Sequence, residues 1–203
     1  MIENPFNPGY LGSEQLIDLG FGKVGKNVRI AKSTTIIGLN NIFFGDDIRI
    51  DGYTTIVANG GGRLLVGSNV HIGAYCLLSC GEDVALADFS GLSQGVRIYT
   101  RTDDYSGRTL TNPTVPAKFT GVRSGKVFLG RHVIIGSGTV VLPGVSIGEG
   151  AAVGALSLVT KNLDEWGVFF GSPAKKIKNR ARTLLSLEEE YLRERDCLAE
   201  QYS

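Results

Sequence analysis

The sequence predicts an all-β solenoid, a parallel β-helix of hexapeptide repeats, and three observations predict it. The stretch from Leu129 to Asp164 divides into six consecutive hexapeptides with no residue left over: L-G-R-H-V-I, I-G-S-G-T-V, V-L-P-G-V-S, I-G-E-G-A-A, V-G-A-L-S-L and V-T-K-N-L-D. Their first position is always aliphatic (Leu129, Ile135, Val141, Ile147, Val153, Val159), and their second is glycine at Gly130, Gly136, Gly148 and Gly154. Their fifth is small or aliphatic (Val133, Thr139, Val145, Ala151, Ser157, Leu163). A half-buried strand repeats every two residues and an amphipathic helix every 3.6; a six-residue beat marks a chain that turns a corner after each short strand and stacks on the coil below. The first position then points into a prism, the fifth fills its corner, and glycine permits the bend. Glycine supplies 28 of the 203 residues, about twice ordinary usage and without a collagen period, which suits a fold made of corners.

The remaining elements follow in order. Residues 1–23 are expected to cap the open end: N-P-F-N-P-G-Y is turn-rich, and S-E-Q-L-I-D-L-G reads as one short helix from Ser13 to Gly20. Such caps cover unpaired backbone that would otherwise template aggregation. The beat starts at Val24 with V-G-K-N-V-R, I-A-K-S-T-T and I-I-G-L-N-N, slips near Ile42, and recovers at F-G-D-D-I-R and I-D-G-Y-T-T. The run N-G-G-G-R at 59–63 interrupts it. With no G-K-[ST] and no helix after it, that run reads as a bulged corner and not as a phosphate cradle. V-G-S-N-V-H, I-G-A-Y-C-L and L-S-C-G-E-D resume the pattern, followed by L-A-D-F-S-G and L-S-Q-G-V-R. Across 99–126 the period disappears into a loop rich in charge, hydroxyls and proline. Loops longer than about 12–15 residues are uncommon in compact domains and are usually functional; Tyr105, Phe119 and the prolines speak against a floppy insertion. The solenoid then runs to Arg180, and residues 181–203 form a C-terminal helix of three or four turns. In it Ser186 and Glu189 make a capping box and Leu184, Leu187, Tyr191 and Leu198 one stripe. Its expected role is a cap or a subunit contact.

Composition narrows the function. Lys+Arg number 21 against 20 Asp+Glu, so no global field points to nucleic acid or a membrane surface. The N-terminus lacks a charged start followed by an apolar run, and no apolar run approaches membrane-spanning length, so a cytoplasmic protein is expected. Cys76, Cys80 and Cys197 lack metal spacing; buried free thiols are expected and no metal site.

These repeats, together with G-A-L-S-L-V-T-K at 154–161 and the closing G-S-P-A-K-K-I at 171–177, resemble the left-handed β-helix, or hexapeptide-repeat, acyltransferases over roughly Val24 to Arg180. Within that family D-D-Y-S-G (103–107) followed by N-P-T-V-P (112–116) looks like the branch acting on dTDP-4-amino-4,6-dideoxyglucose. The resemblance implies acetyl-CoA as cosubstrate, a homotrimer, and a loop that carries the catalytic residue and reaches the neighbouring subunit. It places coenzyme A contacts on Gly136, Ser137, Ala155, Ser157, Thr160 and Lys161, with Lys175, Lys176 and Arg180 near its phosphates. The competing readings are corner packing for the small residues and a solvated tail for the lysines. Candidate acceptor contacts are His71, Ser79, Glu82 and Tyr105.

The family commonly places a histidine in the long loop; here the only histidines are His71 and His132, and T-D-D stands in its place. His132 reads as a corner residue, and His71 as a coil-edge residue of either role. Asp103 or Asp104 is therefore the candidate catalytic group, each also readable as a turn residue before Ser106-Gly107. A carboxylate near pKa 3.9 is a poor base for a hydroxyl but binds and orients an ammonium ion well. The expected activity is N-acetylation of a nucleotide-linked amino sugar by direct attack on the thioester, with backbone N–H groups near Gly136 holding the oxyanion. The alternatives are an O-acetyltransferase using His71 and a non-catalytic binding solenoid.

Overall fold

The six-residue beat folds into a three-faced prism of stacked coils. The computed structural model describes residues 7–201; Asn4–Phe6 of the expected turn-rich start and the Leu198 side chain of the helical stripe lie outside the described residues. The chain winds a parallel β-solenoid of about seven turns. Each coil visits a nine-stranded, then a six-stranded, then a five-stranded face, and every strand of these faces pairs in parallel with the same face of the next coil, the two end strands apart. On the nine-stranded face, for example, Val28–Ala31 pairs with Ile48–Ile50, and that strand with Val70–Ile72.

The inward positions are those the beat marks. Leu129, Ile135, Val141, Ile147 and Val159 are fully buried, and Val153 is 3% exposed. Corner positions Val133, Thr139 and Ala151 are at 0%. Burying each large aliphatic side chain contributes about 1.5–3 kcal/mol, so the column of them supplies the main stabilisation.

The second-position glycines play a different part from the one expected. The bend is made at the fourth position of the hexapeptide, where His132, Gly138, Gly144, Gly150 and Leu156 take left-handed φ between 56° and 79°. The second-position glycines are needed for clearance. A Cβ at Gly136 would lie 2.4 Å from the Ala155 nitrogen, and one at Gly148 2.5 Å from that of Glu165. The next coil's backbone occupies the space a side chain needs.

Both ends are closed. At the N-terminal end, Tyr10–Gly12 adds antiparallel to Val28–Ala31, and helix α1 (Ser13–Ile17) inserts Leu16, 1% exposed, beneath the first coil. The helix stops short of the Gly20 expected from the sequence. At the other end Gly167–Phe170 folds back on Lys175–Asn179 as an antiparallel hairpin whose last strand is exposed throughout. Helix α2 (Leu184–Gln201) starts two residues before Ser186 and is longer than expected, so the Ser186–Glu189 pair lies inside it. Its attachment is polar and aromatic: Glu188 accepts from Arg131 and, at 2.8 Å, from His132 Nε2, and Tyr191 donates to Asn69 Oδ1 at 3.0 Å. His132 is 7% exposed at its corner, stacked on Phe89 at 5.2 Å.

Clearance can be separated from chain flexibility by two matched substitutions. Gly148→Ala should cost about 1–3 kcal/mol of unfolding free energy, the usual range for forced overpacking. Gly91→Ala, where an added Cβ meets nothing nearer than 3.9 Å, should stay within about 0.5 kcal/mol of the parent. Urea midpoints at unchanged slope measure both.

Candidate active site

The long loop leaves the six-stranded face on a short stem, in which Arg101–Thr102 pairs antiparallel with Arg123–Ser124. Charge fixes the foot of that stem. Asp83 receives Arg63 through its backbone N–H (3.1 Å) and guanidinium (3.0 and 3.2 Å), and Lys126 Nζ at 3.1 Å, so one carboxylate ties two coils to the returning strand. These partners, Arg63 foremost, hold the Asp83 carboxyl well below the usual carboxylate range against the opposing effect of burial. Arg101 donates to the Gly81 carbonyl at 2.7 Å and to Glu82 Oε1 at 3.2 Å, which makes Glu82 part of the same anchorage.

Within the loop the two candidate aspartates part company. Asp104 is buried, 8% exposed, and accepts from the Ser106 backbone N–H (2.9 Å), Ser106 Oγ (2.8 Å) and Thr109 Oγ1 (3.2 Å). It holds the turn, and the Ser106 N–H leads the bonds that lower its pKa. Asp103 instead lines a cavity of about 800 Å³ with Ser79, Arg101, Asn112, Pro116 and Val122. No hydrogen bond ties the Asp103 carboxylate among the described residues. Tyr105 stands 92% exposed, away from that cavity wall.

A second polar cluster sits on the nine-stranded face. His71 Nε2 lies 2.8 Å from Asp51 Oδ2, and Asp51 Oδ1 accepts from Arg49 Nε and the Tyr10 hydroxyl, each at 2.7 Å. A carboxylate facing Nε2 requires the proton on that nitrogen. Burial raises the Asp51 pKa, but the bonds from Arg49, His71 and Tyr10 outweigh it and leave a net lowering. Asp51 and His71 border a cavity of about 320 Å³ that also takes in Ser93, Gln94 and Ser137.

Of the predicted coenzyme A residues, Gly136, Ser137, Ala155 and Ser157 lie on the corner beside that cavity, whereas Thr160 and Lys161 follow the strand Leu158–Val159 on the next corner and Lys175 and Lys176 lie on the end strand. Ser137 and Ala155 are exposed, and neither uses its backbone N–H within the described residues. Gly136 differs, since its N–H donates to the Val153 carbonyl at 2.7 Å and is unavailable for an oxyanion. Ser157 is 3% exposed, donates to the Gly154 carbonyl at 2.8 Å and accepts from the Gly171 N–H at 3.1 Å, a corner-packing role. Thr160, Lys161, Lys175 and Lys176 are exposed. Arg180 is committed elsewhere: its Nη1 donates to the carbonyls of His132 (2.8 Å) and Gly150 (3.0 Å), and burial lowers its pKa. Burial pushes Cys76 to about 11 and Cys80 to about 12, so neither thiol is a nucleophile at neutral pH. Sequence reasoning missed Asp51, Arg49 and Tyr10. The available signal was an offset of 20 residues, one full coil, which also joins Arg63 to Asp83 and Asn27 to Asp47.

The bacterial transferase hexapeptide (six repeats) family model matches residues 126–161. The chain is 41% identical over 179 residues to a dTDP-4-amino-4,6-dideoxy-D-glucose acyltransferase of Escherichia coli, spanning 88% of this chain and 93% of that protein. It superposes with a TM-score of 0.88 at 38% identity on AntD, an N-acyltransferase from Bacillus cereus in complex with dTDP and 3-hydroxybutyryl-CoA, covering 94% of this chain and 100% of that one. A putative lipopolysaccharide biosynthesis O-acetyl transferase of Escherichia coli, WbbJ, is 30% identical over 143 residues, 68% of each chain. These similarities make the loop-bearing solenoid an enzyme of acyl transfer. The chain belongs to the hexapeptide-repeat acyltransferase family.

The Asp104 turn makes loop order pH-dependent. Its folded pKa lies below the unfolded value, so its stabilisation is complete above the ordinary carboxylate pKa and is lost as pH falls through the folded one. Limited proteolysis between Asp103 and Thr120 should accelerate as pH drops below about 4. Asp104→Asn should be cleaved faster at neutral pH and respond less to acid.

Proposed function

We propose that the chain is an acetyl-CoA-dependent N-acetyltransferase of a nucleotide-linked amino sugar of the dTDP-4-amino-4,6-dideoxyglucose type, serving surface polysaccharide or O-antigen synthesis in the cytoplasm. The observation that carries this reading is Asp103, an uncommitted carboxylate facing the large loop cavity where no histidine stands. An anionic wall there attracts the acceptor's ammonium group and orients it. Similarity along most of the chain to a dTDP-amino-sugar acyltransferase and to an N-acyltransferase bound to dTDP and 3-hydroxybutyryl-CoA supports a dTDP-amino-sugar acceptor and an acyl-CoA donor. No described helix is long and apolar enough to cross a membrane.

The chemistry is direct transfer. Asp103 binds the ammonium group and takes its proton, or passes it to water, as the amine forms. The amine attacks the thioester carbonyl, the free N–H of Ser137 takes the oxyanion role first expected near Gly136, and collapse expels the CoA thiolate, which takes up the proton that the attacking nitrogen loses as it becomes the amide. Ser137 and Ala155 line the pantetheine arm, and the open N–H of Ala155 is left for one of its amides. Lys175 and Lys176 face its phosphates, a role the clamped Arg180 does not share. Assembly as a homotrimer would bring the loop of one subunit against the corner of the next. The five-stranded face supports such packing, since Phe43, Leu65, Ala85 and Phe128 form one outward row across paired strands. The His71–Asp51 pair favours a second reading, O-acetylation, because a histidine oriented by a carboxylate is the usual means of activating a hydroxyl.

Thiol release from acetyl-CoA in the presence of the amino sugar tests the choice. Asp103→Asn should lower turnover by about 10²–10⁴-fold at unchanged CoA affinity, and the sugar with hydroxyl in place of amine should be a far worse acceptor. Equal rates for the two sugars, or collapse of activity in His71→Ala alone, would move the assignment to O-acetylation.

The groove is tested separately. Ala155→Trp should keep the melting temperature of the parent while acetyl-CoA affinity drops by at least about tenfold, the equivalent of ~1.4 kcal/mol. Unchanged affinity in the folded variant would place the arm elsewhere.

A further inference from the structure

From coil to coil, the outward rungs of the nine-stranded face are Arg29, Arg49, His71, Gly91, Ile134 and Ala152. Gly91 alone among these six lacks a side chain, which leaves a dent between His71 and Ile134. Close packing does not require glycine there, because a Cβ built on Gly91 would meet nothing nearer than 3.9 Å. Backbone conformation does not require it either, since Gly91 lies in a strand and outside the left-handed region.

Two cavities meet at this dent. One is the cavity of about 320 Å³ that takes in Ser137, the oxyanion donor of the mechanism above. The other, of about 520 Å³, lies between the nine-stranded face and helix α2. His71, Gly91 and Ile134 border both. The walls of the second cavity include Phe89, Val133 and Ile134 from the solenoid and Leu184 and Leu187 from the helix. Most of its polar side chains are engaged elsewhere. Glu188 is held by Arg131 and His132, Tyr191 by Asn69, and Arg180 by two corner carbonyls. The surface left for a ligand is chiefly hydrocarbon. Ser137 is three residues from Ile134, a span of at most about 11 Å.

We propose that the acyl chain of the donor crosses the Gly91 rung and ends beneath helix α2, so that the preferred donor is a straight-chain acyl-CoA longer than acetyl. The inference rests on the acyl-CoA donor and the oxyanion position proposed above, and it replaces acetyl as the group carried. With its thioester carbonyl at the Ser137 N–H, an acetyl group ends in the first cavity, short of the helix. A chain a few methylenes longer passes between His71 and Ile134 into the apolar space. Each methylene so buried favours the longer donor by about fourfold. Helix α2 is then more than a cap, since Leu184 and Leu187 form the far wall that limits chain length.

The test compares kcat/KM for acetyl-, butyryl- and hexanoyl-CoA, followed by thiol release with the amino sugar as acceptor. The wild-type protein should favour butyryl over acetyl by about tenfold or more. Gly91→Val suits a strand and fills the neck between the cavities, so it should bring that ratio to about one or below while acetyl transfer stays measurable. Leu187→Asp, which places a charge in the far wall, should lower hexanoyl transfer more than butyryl transfer. A wild-type preference for acetyl overturns the inference and leaves the acetyltransferase reading standing. An unchanged ratio in a folded Gly91→Val protein overturns the route across this rung, and so does an equal loss with all three donors. Absence of thiol release from every donor in the wild-type protein would instead sink the amino-sugar acyltransferase reading beneath it.

Discussion

Parallel strands on each face sit one hydrogen-bond spacing apart, about 4.8 Å, and that single distance governs the rest of the molecule. It forces glycine at Gly130, Gly136 and Gly148, where the next coil's backbone lies within 2.4–2.8 Å of a built Cβ. It aligns like positions of successive coils into columns, so one residue type can line an entire edge. The aliphatic column inside and the open amides at Ser137 and Ala155 outside arise from the same register. The stacking of the coils thus leaves these two amides on successive rungs of one open edge.

The loop depends on a different force. Little of it is buried, and Leu110, Phe119 and Val122 are at least half exposed. Its order comes from carboxylates: Asp83 at the foot, Asp104 at the turn, and Glu82 with Arg101 between them. Because Asp104 satisfies the backbone, Asp103 beside it keeps an open carboxylate. Adjacent residues of one type thereby differ in their bonding, one bound into the turn and the other open to the loop cavity.

The legibility of the sequence follows the range of each interaction. Inward and corner positions repeat every six residues, so the core could be read directly, as could a loop that breaks the beat at Tyr99. Contacts between coils lie about 20 residues apart and pass through slips at Ile42 and Gly60, so their register had to be seen. Asp51 with His71 and the Tyr53–Tyr75 stack belong to that group, and Arg180 reaches still farther, to carbonyls 30 and 48 residues away. The glycines were recognised but explained by bending, because clearance against the next coil exists only once that coil is placed. Helix α2 began earlier than its Ser186–Glu189 pattern suggested, since contacts of Glu188 and Tyr191 with the solenoid outweigh a local cap.

The N-terminal strand has a bearing on how the protein is handled. Tyr10 is at once an edge-strand residue that seals the first coil and a ligand of Asp51, the carboxylate that orients His71. Anything that lifts this strand off the solenoid frees Asp51 from one of its hydrogen bonds while leaving the coils above untouched. An affinity tag or fusion partner joined close ahead of it would load that strand, so such an extension needs a long flexible spacer, or is better placed after helix α2.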